Sequence, residues 1–252
     1  MGSTERLRLI RDAVREAGQL GVGELAELTG ASEMTIRRDL EILADQGVLE
    51  RYRGGARSVL LRGQEPPFAW RAGEGTDAKR RIAAEVAALI ADGESVVIDS
   101  GTTCLEVARA LHDRRLTVMP LSLHAVNALT GGPQLTLLVP GGQPRPGELA
   151  LTGPLTEASL AVLRFDTAVL GCCGLTAADG MTAHDLADSA IKRAAIASAR
   201  RVIAAADAAK FSRTALAFVA PISALHAVVT DQAAPDSEVD ALRAAGVTVR
   251  KV

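Results

Sequence analysis

Two segments of this 252-residue chain carry side chains whose types and spacing suit chemistry. The first is Val96-Val97-Ile98-Asp99-Ser100-Gly101-Thr102-Thr103, an apolar run that ends in an acid, hydroxyls and a glycine and leads into helical spacing. Where a strand passes through a short loop into a helix, the first backbone N–H groups lack partners inside the helix and gather around one point. With the hydroxyls of Ser100, Thr102 and Thr103 they suit a phosphate, and Asp99 suits ligand hydroxyl groups beside it. The Gly-x-x-x-x-Gly-Lys spacing of a nucleotide P-loop and the Gly-x-Gly-x-x-Gly of a dinucleotide site are both missing. The second segment is Ala205-Ala206-Asp207-Ala208-Ala209-Lys210-Phe211, again just past an apolar run. Lys210 can neutralise phosphate or reach a sugar oxygen, with Asp207 beside it. Lys192, on the preceding helix, is a weaker candidate. Gly141-Gly142, and Gly171 with Gly174, allow close backbone approach, either to a ligand or within turns. His184-Asp185 has no third partner for catalysis, and Cys172 and Cys173 have no neighbouring base, so they read as packing residues.

A third set is basic and lies in the first sixty residues. Leu7, Leu9, Ile10, Ala13, Val14 and Ala17 predict an amphipathic helix over 6–17, ended by Gly18. A short helix follows over 22–29. Gly30-Ala31 makes a turn, and Ser32 caps a third helix over 33–46 that buries Ile36, Leu40, Leu43 and Ile42. Two helices joined by a short glycine-containing turn have the form of a helix-turn-helix. Thr35, Arg37 and Arg38 fall in the first two turns of its second helix, where base edges are met. A guanidinium fork fits guanine O6 and N7, or phosphate oxygens. Beyond Gly47, Arg51, Arg53 and Arg57 alternate along a two-stranded wing that Gly54-Gly55 allows to turn. The competing reading is a solvated face whose arginines pair with Asp39 and Glu41.

The remaining elements must hold the first two segments in place. Residues 58–75 contain Gly63, Pro66-Pro67, Gly73 and Gly75 without periodicity and read as a linker between a domain of residues 1–57 and one of 76–252. A helix is expected over 77–91. Strands are expected over 95–98, 116–120, 135–139, 167–170, 202–205, 227–230 and 247–249, alternating with helical stretches such as 104–111, 186–199 and 237–245. That alternation, with nearly continuous apolar strands, predicts an α/β domain with a mainly parallel sheet. Ligands of such sheets sit beyond the carboxyl ends of the strands, where both segments fall.

Composition narrows the class. The hydrophobic fraction of 48% supports a real core, and aromatics at 2% mean that Ala, Leu, Val and Ile must build it. The net charge of −2 argues against general attraction to nucleic acid, so any DNA contact must rest on a local basic patch. The three cysteines, Cys104, Cys172 and Cys173, form neither a disulfide framework nor a zinc pattern, and neither metal nor cofactor is expected. With no apolar run of spanning length and no signal segment, a cytoplasmic protein with no membrane partner is expected.

Ser32-Glu33-Met34-Thr35-Ile36-Arg37-Arg38-Asp39-Leu40-Glu41-Ile42-Leu43, followed by Gly47-Val48-Leu49-Glu50-Arg51-Tyr52-Arg53-Gly54-Gly55-Ala56, closely resembles the DeoR family of bacterial sugar-metabolism regulators. The resemblance continues through Asp99 to Thr103, Pro140-Gly141-Gly142, Leu151 to Pro154, Asp166 to Leu175 and Ala206 to Phe211, nearly the full chain. It implies a winged helix-turn-helix joined to an α/β sensor domain similar to ribose-5-phosphate isomerase, and a repressor of sugar-metabolism genes. It also implies that Ser32, Thr35, Arg37, Arg38 and the wing from Arg53 to Ala56 face double-stranded operator DNA. A phosphorylated sugar effector would be held by Asp99 to Thr103, with Lys192, Asp207 and Lys210 completing the site. The family commonly shows Thr-Asn-Ser where this chain has Leu121-Ser122-Leu123. A homo-oligomer, dimer or tetramer, is expected because one helix-turn-helix reads only a half-site. Two other classes fit parts of the pattern. A sugar-phosphate isomerase would use the phosphate cradle but leave the basic segment unexplained. A DNA-binding adaptor would leave the Ser-Gly-Thr-Thr loop unexplained.

Overall fold

The computed structural model describes residues 2–59 and 66–252, which divide into two compact units, Met1–Gly73 and Glu74–Val252. In the first unit α1 (Ser3–Ala17), β1 (Gln19–Gly21), α2 (Val22–Thr29) and α3 (Glu33–Asp45) precede a hairpin of β2 (Leu49–Tyr52) and β3 (Gly55–Ser58). Gly30 sits at φ +67°, the left-handed conformation that lets the chain leave α2 and re-enter α3 within three residues. Ile10, Val14, Leu25, Ile36, Leu40 and Leu43 close the core between the three helices. Ile42, expected inside, is instead 37% exposed, because it lies beside rather than on the buried stripe of Ile36, Leu40 and Leu43.

The segment read as a linker contains more structure than its composition suggests. Its Gly63 falls outside the described residues, but Phe68–Gly73 forms a short helix, α4. Trp70 on that helix is 6% exposed within the core of the first unit, with the Arg11 guanidinium 5.3 Å from its ring. One large aromatic is enough to anchor a helix too short to show periodicity.

The second unit runs α5 (Thr76–Ala88), β4 (Ser95–Ile98), α6 (Thr102–Leu111), β5 (Thr117–Pro120), α7 (Leu123–Leu129) and β6 (Thr136–Leu137). A small hairpin of β7 (Gln143–Pro144) and β8 (Leu151–Thr152) leads to α8 (Pro154–Ala161) and β9 (Phe165–Leu170). Then come β10 (Gly174–Thr176), β11 (Gly180–Ala183), α9 (Leu186–Ser198), β12 (Ala199–Ala205), β13 (Ala217–Ala220), β14 (Ala227–Thr230), α10 (Asp236–Ala244) and β15 (Thr248–Lys251). Among the described residues, seven strands form one parallel sheet in the order β15-β14-β12-β9-β4-β5-β6, and they are the seven expected from the apolar runs. Apolar side chains from both faces of the sheet enter two separate clusters, one around Leu170 and Ala204, the other around Ile98 and Val169.

The order reverses at one place. From β4 the chain winds outward through β5 and β6, then returns to place β9 on the opposite side of β4. The loops after β4 and β9 therefore diverge, leaving a crevice at their carboxyl ends, where open α/β sheets bind ligands.

The buried aromatic of α4 makes that helix part of the first unit. Replacing Trp70 by Ala in the full chain is expected to weaken that unit by about 3–5 kcal/mol. Amide exchange at Ile10, Leu25 and Leu40 would report it; unchanged exchange would mean that α4 is a linker after all.

Candidate functional site

The crevice between β4 and β9 holds a buried charged cluster. Register pairs Ile98 with Val169, and Asp99 and Gly171 are the first residues past the ends of the two adjacent strands. Asp99 is 1% exposed, and its Oδ2 accepts the Gly171 N–H at 2.9 Å. The same oxygen accepts from the Lys192 ammonium of α9. Lys192 also lies 3.4 Å from Asp188, one turn earlier on α9, and the Ser100 hydroxyl donates to Asp188 at 3.4 Å. One ammonium thus faces two carboxylates, all three groups buried. Burial pushes the Asp99 carboxyl up, more than the pull of Lys192 lowers it. Burial also acts against the Lys192 ammonium, but Asp188 and Asp99 outweigh it and hold Lys192 well above the ordinary lysine range.

Beside this cluster, α6 begins at Gly101, whose φ of +97° only glycine adopts easily, and no side chain caps the helix there. The first intrahelical bond runs from the Leu105 N–H to the Gly101 carbonyl at 3.0 Å. The N–H groups of Thr102, Thr103 and Cys104 precede it and point out of the helix end, which carries partial positive charge. Thr102 and Thr103 are buried, as is Ser100. The fold therefore brings together Asp99, Ser100, Gly101, Thr102, Thr103 and Lys192, and adds Asp188, which the sequence reading passed over.

The other candidates divide. Asp207 and Lys210 follow β12 at the same sheet edge, and the charges of both act on Cys172, as does that of Lys192. Asp207 already accepts the Ala209 N–H at 3.0 Å and so caps the short turn that presents Lys210. Gly141 and Gly142 have a packing explanation. A Cβ on Gly142 would lie 2.0 Å from Thr156 Oγ1, and that hydroxyl donates to the Gly141 carbonyl at 2.7 Å. Asp185 caps α9 by accepting the Asp188 N–H at 2.8 Å. Ser122 caps α7, accepting the Ala125 N–H at 3.2 Å. Burial pushes the Cys172 thiol up to about 12 and the Cys104 thiol well above its ordinary value, which removes both as nucleophiles near neutral pH.

The first unit presents the basic face. Ser32 caps α3, its hydroxyl accepting the Thr35 N–H at 3.2 Å, and the two hydroxyls share a hydrogen bond of 2.9 Å. Asp39 does not pair with the outer arginines; it is 2% exposed and accepts two bonds from Arg6 of α1. Arg37 pairs with Glu33, Arg51 with Glu41 and Arg57 with Glu50, all exposed. Among the described residues Arg38 and Arg53 make no ion pair or hydrogen bond. Exposed pairs of this kind are worth about 0–1 kcal/mol, so an incoming phosphate can displace them. Gly54, at φ +103°, makes the wing turn, while a Cβ on Gly55 would strike the Leu20 carbonyl oxygen at 2.3 Å.

Removing Lys192 would leave two buried carboxylates uncompensated. Lys192→Met is expected to destabilise the second unit by about 3–5 kcal/mol near neutral pH. In the wild type the raised Lys192 value gives stability fully present below its unfolded value and lost as pH rises through the folded one. The raised Asp99 value means that the folded state holds its proton more tightly, so this group favours folding at lower pH. The variant, without the ammonium that pulls Asp99 down, should regain stability as pH falls from about 8 to about 5. Denaturant melts at both pH values check this, and a loss that does not shrink with pH would refute it. Separately, Cys104 and Cys172 should react with iodoacetamide near pH 8 only as fast as the protein unfolds; rapid labelling of either by mass spectrometry would contradict their burial.

Residues 74–232 match the family model of the DeoR C terminal sensor domain, and residues 6–60 match that of the DeoR-like helix-turn-helix domain. The transcriptional repressor AccR of Agrobacterium fabrum is 34% identical over 229 residues, spanning 90% of this chain and 89% of the relative. The glycerol-3-phosphate regulon repressor of Escherichia coli K12 is 32% identical over 243 residues, spanning 96% of each. A solved ribose 5-phosphate isomerase A from Methanocaldococcus jannaschii superposes with a TM-score of 0.42 at 15% identity over 55% of each chain, a likeness that bears on neither substrate nor activity. Both family models, in their expected order along a chain whose relatives match nearly end to end, show that this protein belongs to the DeoR family of transcriptional regulators.

Proposed function

We propose that the protein is a cytoplasmic repressor that binds operator DNA through its winged helix-turn-helix and is released by a phosphorylated sugar bound in the crevice between β4 and β9. The observation that carries the effector half is the uncapped start of α6 beside Asp99, Asp188 and Lys192 at the switch point of the sheet. Backbone N–H groups and the hydroxyls of Ser100, Thr102 and Thr103 receive the phosphate, with Lys210 adding positive charge. Asp99, Asp188 and Lys192 receive the sugar hydroxyls. The carboxylates already accept from the ammonium, so the cluster offers matched hydrogen bonds to a neutral polyol rather than a free base for proton abstraction. That supports sensing over isomerisation.

On DNA, Arg38 and Arg53 supply charge without breaking any pair, and Thr35, Arg37 and Arg51 add contacts at the rim. Two copies are needed to read a two-fold operator. The effector lowers operator affinity only if it binds the DNA-free arrangement more tightly, and couplings of about 1–3 kcal/mol are usual.

The test is a gel shift on the protein's own upstream DNA at fixed salt, with a panel of sugar phosphates. One compound is expected to release specific binding. Gly101→Val, which strains the start of α6, is expected to keep operator affinity and raise the releasing concentration at least about tenfold. Specific binding unaffected by any compound would remove the effector half of the proposal; no specific binding would remove the whole.

A further inference from the structure

The outward face of α3 divides along its length. Successive residues of a helix turn by about 100°. Measured that way, Met34, Arg38, Glu41 and Asp45 lie opposite the buried Ile36, Leu40 and Leu43. On the last two turns Asp45 adds negative charge and Glu41 is paired with Arg51, so that end of the face offers no positive charge of its own to phosphates. Base reading is thereby confined to the first two turns, where Met34 and Arg38 stand one turn apart. Met34 is 78% exposed and shares a surface groove with Ser32, Thr35, Arg38 and Arg51. A lone exposed apolar side chain is ordinary on a protein surface. This one occupies the second position of a helix, where an acid would favour the helix dipole and an apolar group does nothing for it. The groove around it is mostly polar, lined by hydroxyls, guanidinium groups and the acids Asp39 and Glu41, with Ile42 its one other large apolar side chain.

The floor of the major groove offers donors, acceptors and one apolar group, the thymine C5-methyl. We infer that Met34 reads that methyl, so that each operator half-site carries a thymine contacted by Met34 next to the bases contacted by Arg38. The thioether chain is flexible and polarizable enough to follow a methyl without fixed geometry. Because its hydroxyl already caps α3 with Ser32, Thr35 is left to orient the helix end, and selectivity falls to Met34 and Arg38. This inference rests on the DNA-binding half of the proposed function.

The full-length protein and its Met34→Ala and Met34→Gln variants are each used to select duplexes from a randomised pool at fixed salt. Wild type is expected to enrich a half-site with a thymine that both variants no longer require, while the remaining positions stay the same. Replacing that thymine by uracil, which removes only the methyl, should weaken wild-type binding about fourfold per half-site, the ratio corresponding to burial of one methylene-sized group. The Met34→Ala protein should bind the thymine and uracil duplexes alike. Identical selected sequences for all three proteins, or wild-type affinity indifferent to the uracil exchange, would overturn the assignment of Met34 and leave the DNA-binding reading intact. Enrichment of no sequence by the wild type would overturn both. Met34 touches no core, so the variants fold, and their thermal melts should match wild type.

Discussion

A buried lysine ammonium held between two buried carboxylates fixes the geometry on which the second unit depends. Lys192 and Asp188 belong to α9, whereas Asp99 directly follows the central strand β4 and also receives the N–H of Gly171, which directly follows β9. Three separate pieces of chain therefore meet at one oxygen atom, Asp99 Oδ2. Because an unpaired buried charge is far more costly than a paired one, moving α9 away from β4 would break the Lys192–Asp99 and Ser100–Asp188 bonds together and is opposed by that cost. The open start of α6 depends on the same arrangement, since Ser100 ties the loop before it to Asp188.

Much of this was legible in the chain. The inner strands of the parallel sheet could be found because they are largely buried on both faces and so read as apolar runs, while the edge strands β6 and β15 are partly exposed. The antiparallel strands β10, β11 and β13 could not. Gly174, Thr176, Gly180 and Thr182 interrupt the hydrophobic pattern of β10 and β11, β13 is an apolar run of four residues only, and the place of all three is set by partners up to forty residues away. The hairpin β7–β8 has only two residues in each strand, and α8 spreads Leu155 and Leu160 onto different faces, so neither leaves a period to detect. Asp188 escaped notice because an acid one turn from a lysine is usually a surface pair. The available signal was that Lys192 shares the inward stripe of Ile191 and Ala195, where a charge must have a partner. Gly141 and Gly142 show the opposite outcome, since two glycines that suit a ligand are already explained by the closeness of Thr156.

The acidic overall balance and the DNA-binding role are reconciled locally. Each of Glu33, Glu41 and Glu50 neutralises one arginine of the basic face, leaving Arg38 and Arg53 as its unscreened charges. Such a face has weak affinity for any phosphate backbone and gains strength only where exchange of partners is accompanied by base contacts.

The anchoring of Trp70 in the first unit has an optical corollary. Trp70 and Tyr52 are the chain's only tryptophan and tyrosine, and both lie before residue 74. The second unit, whose aromatics are phenylalanines alone, is silent in near-ultraviolet emission excited at the indole band. Any change in intrinsic fluorescence when a small molecule enters the crevice must therefore originate in the DNA-binding unit. The indole signal reports on the first unit alone, with no background from tryptophan or tyrosine beside the crevice.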